Sequence, residues 1–451
     1  MSSSKGSKRM KQQHPRASAG EEDRRNADQA QGELVHLDAG PRSANLEETG
    51  RAERTPVTPM FVEPRDVPSS GAADVDIARV KGLCRRLLCA RASGKVPLFV
   101  VGAGVSEGRV PLLKEIAGWF SAVVNLKGDG RPNVEALEPR FGEFLKRLSD
   151  GAASRADAAE FFSTLQLARY SKFWAAFSKA FLLGPQIDES IPALKLGRDR
   201  KDFDGLLVAE FSDAHGGLAR MLQAREAHVL SLNFDGLTVR ALTKNHGSGV
   251  ALHTRQQVRA YFSATKGHFV PAVIKVRGDV FYAKCSEPMC PASNEEHPLD
   301  RLSDHGGGTP VLRCPACGRS TVVLQFSFPG FRVKEEAAYP ILWEARRFLA
   351  QRLSAIIILG LSGRWDRYLL DFLFDLAVER GLVVADVKPL GSDGAVIDSF
   401  RETYYPSCRA AVGTDVSASG AEFVRVALKA DRFYEVFLEG YTVPGGKLGA
   451  S

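Results

Sequence analysis

Long hydrophobic runs are missing from this 451-residue chain. No stretch of about 18 consecutive apolar residues occurs, so no membrane-crossing helix is expected. The first residues, MSSSKGSKRMKQQHPR, carry positive charge with no apolar segment behind them, so no secretory signal is read there and a cytoplasmic protein is expected. Cysteine is scarce and odd in number, seven in all, which excludes a disulfide framework as the source of stability. Charge of one sign is lacking too: 60 basic against 53 acidic residues leave a net +7, too small and scattered to be a nucleic-acid signal. No internal repeat is found, and no complete G-x-G-x-x-G occurs at the glycine-rich turn, where Glu107 stands three residues after Gly104 and the next glycine is Gly108.

What the chain has is apolar substance, 44% of its residues, enough for a sizeable core. Residues 1–73 are rich in Ser, Gly, Gln, Arg and Glu with only scattered hydrophobics, and read as a disordered leader through which a protein partner is expected to bind. Folding is expected from 74 to 390, opening with a helix in which Ile77, Val80, Leu83, Leu87 and Leu88 recur at helical spacing and Cys84 and Cys89 are small buried side chains. A helical insert is read at about 135–185, its Phe161, Phe162, Tyr170, Phe173, Trp174 and Phe177 forming a packing stripe. Residues 391–451 read as a C-terminal extension of unknown role that adds a closing helix.

Four apolar segments end in polar or glycine-containing sequence. The first, "FVVGAGVSEGRVP" (Phe99 to Pro111), runs from valines into Gly-Ala-Gly and on to a proline that opens a helix. "AHVLSLNFDGL" and "PAVIKVRGDVFYA" each read as one strand, and "SAIIILGLSGRW" begins a strand, turn, helix and strand within about thirty residues. This rhythm predicts an α/β fold with a doubly wound parallel sheet. In such sheets ligands bind at the carboxyl ends of the strands, which puts residues 102–106, 233–235, 277–279 and 360–362 on one rim. The glycine turn alone leaves two readings open, a phosphate cradle or a plain tight turn. Asn233 and Asp235 likewise suit either ligand contact or the capping of a following helix.

The most specific chemical signal is Cys285, four residues, Cys290, an insert of 23, then Cys314, two residues and Cys317. Two close thiolate pairs suit a tetrahedral zinc ion, and four protein sulfurs leave no position for water, so the module at about 283–325 is structural. His297 and His305, in the insert, are read as loop residues.

The order Gly-Ala-Gly-Val-Ser, Leu-Asn-Phe-Asp, Lys-Val-Arg-Gly-Asp, four cysteines and Gly-Leu-Ser resembles the sirtuin family of NAD-dependent deacylases and their NAD-hydrolysing relatives, over roughly residues 96–387. The resemblance implies a Rossmann-type doubly wound parallel sheet with a smaller helical and four-cysteine zinc domain, and NAD in the cleft between them. It implies that Gly102, Ala103, Gly104 and Ser106 contact the NAD phosphates, that Asn233 and Asp235 line the nicotinamide-ribose pocket, and that Gly360 and Ser362 lie near the phosphates and adenosine ribose. The chain departs from the family in three places. Val110-Pro111 is followed by Leu112, Leu113 and Lys114 where deacylating sirtuins carry Asp-Phe-Arg; Leu232 replaces the glutamine before the asparagine; and Arg277 replaces the catalytic histidine. A guanidinium has no acceptor lone pair and a pKa above about 12, so Arg277 cannot take a proton from a ribose hydroxyl near neutral pH. An enzyme that cleaves NAD to nicotinamide and ADP-ribose or transfers the ADP-ribosyl group, a non-catalytic NAD or ADP-ribose sensor, and a deacylase with an unusual base are the three functions the residues leave open.

Overall fold

The computed structural model describes residues 72–111, 115, 181–182, 194–196, 201–264, 270–285, 287–292, 296–298, 303–304, 311–319, 322–326, 332–361, 367–389, 396–400, 404 and 419–441. The expected leader through residue 71, the aromatic stripe of the helical insert and nearly all of the helix expected after Pro111 lie outside them. In chain order the elements are α1 (Ala72–Arg91), β1 (Val96–Val101), β2 (Leu194–Leu196), β3 (Lys201–Phe203), α2 (Asp213–Gln223), β4 (His228–Ser231), α3 (Leu237–His246), β5 (Val250–Leu252), α4 (Arg255–Ser263) and β6 (Ala272–Lys275). They continue with β7 (Gly278–Cys285), β8 (Glu296–Pro298), β9 (Ser303–Asp304), β10 (Val311–Leu312), β11 (Val322–Phe326), α5 (Arg332–Leu349), β12 (Leu353–Leu359), α6 (Arg367–Arg380), β13 (Val383–Val387), α7 (Val396–Ser399), β14 (Glu422–Val426) and α8 (Ala430–Gly440). Among the described residues no helix is long and apolar enough to cross a membrane.

Seven strands form one parallel sheet in the order β14-β13-β12-β1-β4-β6-β5. Successive side chains of a strand point to opposite faces, and both faces of this sheet are covered. Leu98 and Val100 join Leu230, Ile274, Ile356 and Ile358 in one apolar layer beneath α4, α5 and α6. Phe99 and Val101 join Val229, Val273, Ile357 and Leu359 in the other, beneath α1, α2 and α8. There Phe99 stacks on Tyr434 and meets Phe437 edge-on, at centroid distances of 5.6 and 5.7 Å.

Four expectations change. His297, read as a loop residue, lies in strand β8 opposite Ala283. The segment 271–283 is two strands, because β6 stays in the parallel sheet while β7 turns away to pair antiparallel with β8 and β11. The domain runs past 390: β14 extends the main sheet beside β13, and α8 buries Phe433, Tyr434, Val436 and Phe437 in its core. Cys84 is buried as expected, but Cys89, on the outward side of the same helix, is exposed.

Helices α4 and α5 are pinned by one carboxylate. Glu344, 3% exposed, accepts from Arg259 Nε at 2.9 Å and Nη2 at 3.1 Å, and from Arg255 Nε at 3.0 Å. Bonds from Arg259, then Arg255, hold its carboxyl down to about 2, against an ordinary 4.5. A lowered folded-state pKa contributes stability that is present above the ordinary value and lost as pH falls through the lowered one. The stability difference between wild type and Glu344→Gln is therefore expected to be full above about pH 4.5 and to vanish toward about pH 2, as denaturant titrations across that range will read.

Candidate functional site

The sheet register levels one rim. Val101 pairs with Leu359 on one side and Ser231 on the other, and Ser231 pairs with Lys275. The loops carrying Gly102, Gly360, Asn233 and Arg277 thus leave the sheet side by side. Chain order also reverses here: from β1 the chain fills β4, β5 and β6 on one side, then β12, β13 and β14 on the other. The junction of β1 and β12 is the switch point where doubly wound sheets open a crevice for ligands.

At that junction the glycines serve each other. A Cβ on Gly102 would lie 2.7 Å from Gly360 O and Leu361 Cα, and one on Gly104 would lie 2.9 Å from Gly360 Cα. Gly360 itself sits at φ +60°, where a Cβ would come within 2.7 Å of Gly104 Cα. The turn's amides are largely engaged as well: Gly102 N–H donates to Leu359, Gly104 N–H to Gly360, Val105 N–H to Gly102 and Ser106 N–H to Ala103. Ala103 is the exposed residue of the turn.

Behind it lies a knot of buried polar side chains. Asn233 Nδ2 donates to Gly102 O and to Ser106 Oγ, both at 3.1 Å, joining the β4 loop to the β1 turn. Ser106 Oγ donates to Asp235 Oδ2 at 2.8 Å, and Asp235 Oδ1 accepts from the N–H of Leu237, the first residue of α3, at 3.1 Å, although the N-cap position itself is Gly236. Lys275, 1% exposed, pairs with Asp279 Oδ2 at 3.4 Å and donates to the carbonyl of Asp235. Arg277 is buried in the turn between β6 and β7, so it is not a solvated surface arginine. Ser362 falls outside the described residues.

Two members of the knot escaped the sequence reading. His215, fully buried, places Nε2 3.2 Å from Ser106 Oγ, while its Nδ1 accepts from Ser212 N–H at 3.2 Å and lies 2.9 Å from Ser212 Oγ. No local pattern ties it to a serine 109 residues earlier. Lys275 did leave a signal, one lysine inside the apolar strand Ala-Val-Ile-Lys.

The four cysteines converge at the far end of β7. All four sulfurs lie within 4.8 Å of one another, with Cys285 to Cys317 at 3.7 Å and Cys290 to Cys314 at 3.6 Å. Tetrahedral Zn–S bonds of about 2.3 Å give sulfur separations of about 3.8 Å, so the donor set fits zinc. The second knuckle closes on itself, Gly318 N–H donating to Cys314 O and Cys314 N–H to Arg319 O. Burial pushes the Cys290 thiol up to about 12, whereas Cys314, despite its burial, is drawn down to about 7 by the Cys317 and Ala316 amides.

No protein-family model and no curated protein matches this chain. Among solved structures it is similar to one reported for the mechanism and regulation of Sir2 enzymes, at 14% identity and a TM-score of 0.36, covering 80% of this chain and 97% of that one. It is also similar to a mutant Sir2 homologue in complex with ADP-ribose, at 13% identity and a TM-score of 0.35, covering 77% of this chain and 92% of that one.

Proposed function

We propose that this protein binds NAD at the β1/β12 rim and cleaves it to nicotinamide and ADP-ribose in the cytoplasm. The observation that supports this best is the buried Ser106–Asn233–Asp235 knot, set beside the glycine turn at the switch point of a parallel sheet. Ala103 offers its amide to the pyrophosphate, Gly102, Gly104 and Gly360 shape the floor, and Arg277 supplies a fixed positive charge for a phosphate or a carboxylate. Asn233 and Asp235 frame the ribose side. The bond to break joins ribose C1′ to the pyridinium nitrogen; nicotinamide leaves neutral with the electron pair, so no general acid is needed. Water supplies the new C1′–O bond and its proton goes to solvent. Arg277 in place of a general base opposes acyl transfer, which needs a ribose hydroxyl deprotonated, and beside the oxocarbenium-like ribose of NAD cleavage its cation has to be paired with a carboxylate such as Asp279 or Asp235.

A second reading, a non-catalytic sensor, is favoured by the engagement of both Asp235 oxygens and the Asn233 amide within the protein. One experiment separates the readings: purified protein is incubated with NAD, with and without an acetyl-lysine peptide, and nicotinamide is followed. Release without peptide is expected. Binding without release selects the sensor, and release only with peptide selects a deacylase. At about 100 times its dissociation constant NAD is expected to stabilise the fold by about 2.7 kcal/mol, read as a raised thermal midpoint; no rise with NAD or ADP-ribose overturns the site. Asn233→Ala is expected to abolish release and also to cost about 1–2 kcal/mol of stability, because two buried hydrogen bonds, to Gly102 O and Ser106 Oγ, are lost while Gly102 O keeps the Val105 N–H.

A further inference from the structure

We propose that His215 is a positioning residue of this rim: its ring fixes the direction of the Ser106 hydroxyl and so holds Asn233 and Asp235 in place. Its consequence for ligand binding rests on the NAD reading; the hydrogen-bond wire itself does not.

A backbone N–H can only donate, so the bond from Ser212 N–H makes His215 Nδ1 an acceptor. In a neutral imidazole the proton then sits on Nε2, which faces Ser106 Oγ at 3.2 Å and donates to it. Asn233 Nδ2 donates to the same oxygen. Two donors fill both lone pairs of the hydroxyl, and its single proton is left for Asp235 Oδ2 at 2.8 Å. Ser106 is thereby saturated. It has no proton to give a phosphate, so it serves the rim as a hub, which revises the role its motif implied.

Burial, the largest influence, lowers the His215 pKa. Asp235 and Asp431 oppose that effect, while Lys275 and Arg109 reinforce it. Protonation would also set an Nδ1–H against the Ser212 N–H, donor against donor. The ring's polarity is thus fixed by α2, whose cap is Ser212, and transmitted to loops that follow β1 and β4. Without the Nε2 donor the Ser106 oxygen has a vacant lone pair and its proton is free to rotate away from Asp235.

The test uses the full zinc-loaded chain labelled with nitrogen-15. The unsubstituted protein is expected to show a His215 resonance protonated at Nε2 and unchanged from about pH 5.5 to 8, with the Asn233 side-chain amide protected from exchange. His215→Phe fills the ring volume without a donor: Asn233 exchange and the ADP-ribose dissociation constant should each rise about tenfold. His215→Gln, which keeps an N–H toward Ser106, should restore most of both. In a Ser106→Ala background His215→Phe should add nothing. An Nδ1–H tautomer, a His215 titration near pH 6.5, or unchanged Asn233 protection in His215→Phe would overturn the proposal. If the wire is seen but ADP-ribose binds nowhere on the wild type, the wire stands and the NAD reading falls.

Discussion

Chelating the metal from the Cys285, Cys290, Cys314 and Cys317 cluster is expected to unfold the zinc module and lower the stability of the whole chain, the largest effect anticipated for this protein. Structural zinc sites of this kind contribute about 10–16 kcal/mol of apparent binding free energy at neutral pH, and that binding is folding energy. Once the ion leaves, the module is held, among the described residues, by the pairings of β7 with β8 and β11 and of β9 with β10. The damage should travel. Strand β7 carries Cys285 at one end and Gly278 and Asp279 at the other, where Asp279 pairs with Lys275 and Val280 N–H donates to Phe234 O. Metal analysis should give about one zinc per chain, and chelation or Cys314→Ser should lower the thermal midpoint and expose the segment near Cys290 to protease. A preparation free of zinc with an unchanged midpoint would remove the metal from the account. Loss of nicotinamide release on chelation is expected as well, as a consequence of the loosened rim, since four sulfurs leave no coordination position for substrate.

Gly360→Ala should destabilise the fold by about 2–5 kcal/mol, combining a left-handed backbone that a side chain resists with a Cβ forced against rigid backbone. At φ +60° the added carbon would meet Gly104 Cα at 2.7 Å and Gly104 C and Val105 N at 2.8 Å, none of which can rotate away. Relief requires parting the β1 and β12 loops, which the Gly102 N–H to Leu359 O and Gly104 N–H to Gly360 O bonds resist. Denaturant titration gives the cost directly. Gly108→Ala is the contrasting control: its φ of +76° strains the backbone, but its Cβ would have nothing within 4 Å, so it should cost less. Equal costs for the two would mean that close approach of the loops contributes nothing. Because these glycines are already required by one another, a stability loss in Gly104→Val or Gly360→Ala says nothing about NAD; ligand binding has to be read from the midpoint shift of the unsubstituted chain.

How the molecule divides between what its sequence states and what only folding decides follows the range of each interaction. The apolar segments of β1, β4, β6 and β12 are legible because strands buried on both faces read as continuous runs of Val, Ile and Leu. The cysteine spacing is legible because tetrahedral ligation by paired thiolates demands close pairs on turns. Level rim loops follow from those two readings and the parallel register. The short strand β5 was not legible, since three residues carry too little pattern, nor was β14, whose alternation is incomplete until β13 lies beside it. The split of 271–283 into β6 and β7 depends on partners far along the chain, β4 and β11.

At the site the same rule holds. Sequence alone placed the glycines, Asn233 and Asp235 after apolar strands, because a strand followed by a polar turn fixes that locally, whereas the place of Arg277 at the end of β6 waited on the split of 271–283. Only the tertiary structure decided what they do there. Whether Gly102 and Gly104 face a ligand or Gly360 turns on two loops more than 250 residues apart being brought to within a few ångströms. Whether Ser106 has a proton to offer turns on His215, Asn233 and Asp235 arriving from other elements to fill its three hydrogen-bonding positions. Periodicity and spacing record what a residue's near neighbours demand; the direction of a hydroxyl is set by atoms that only a closed fold places beside it.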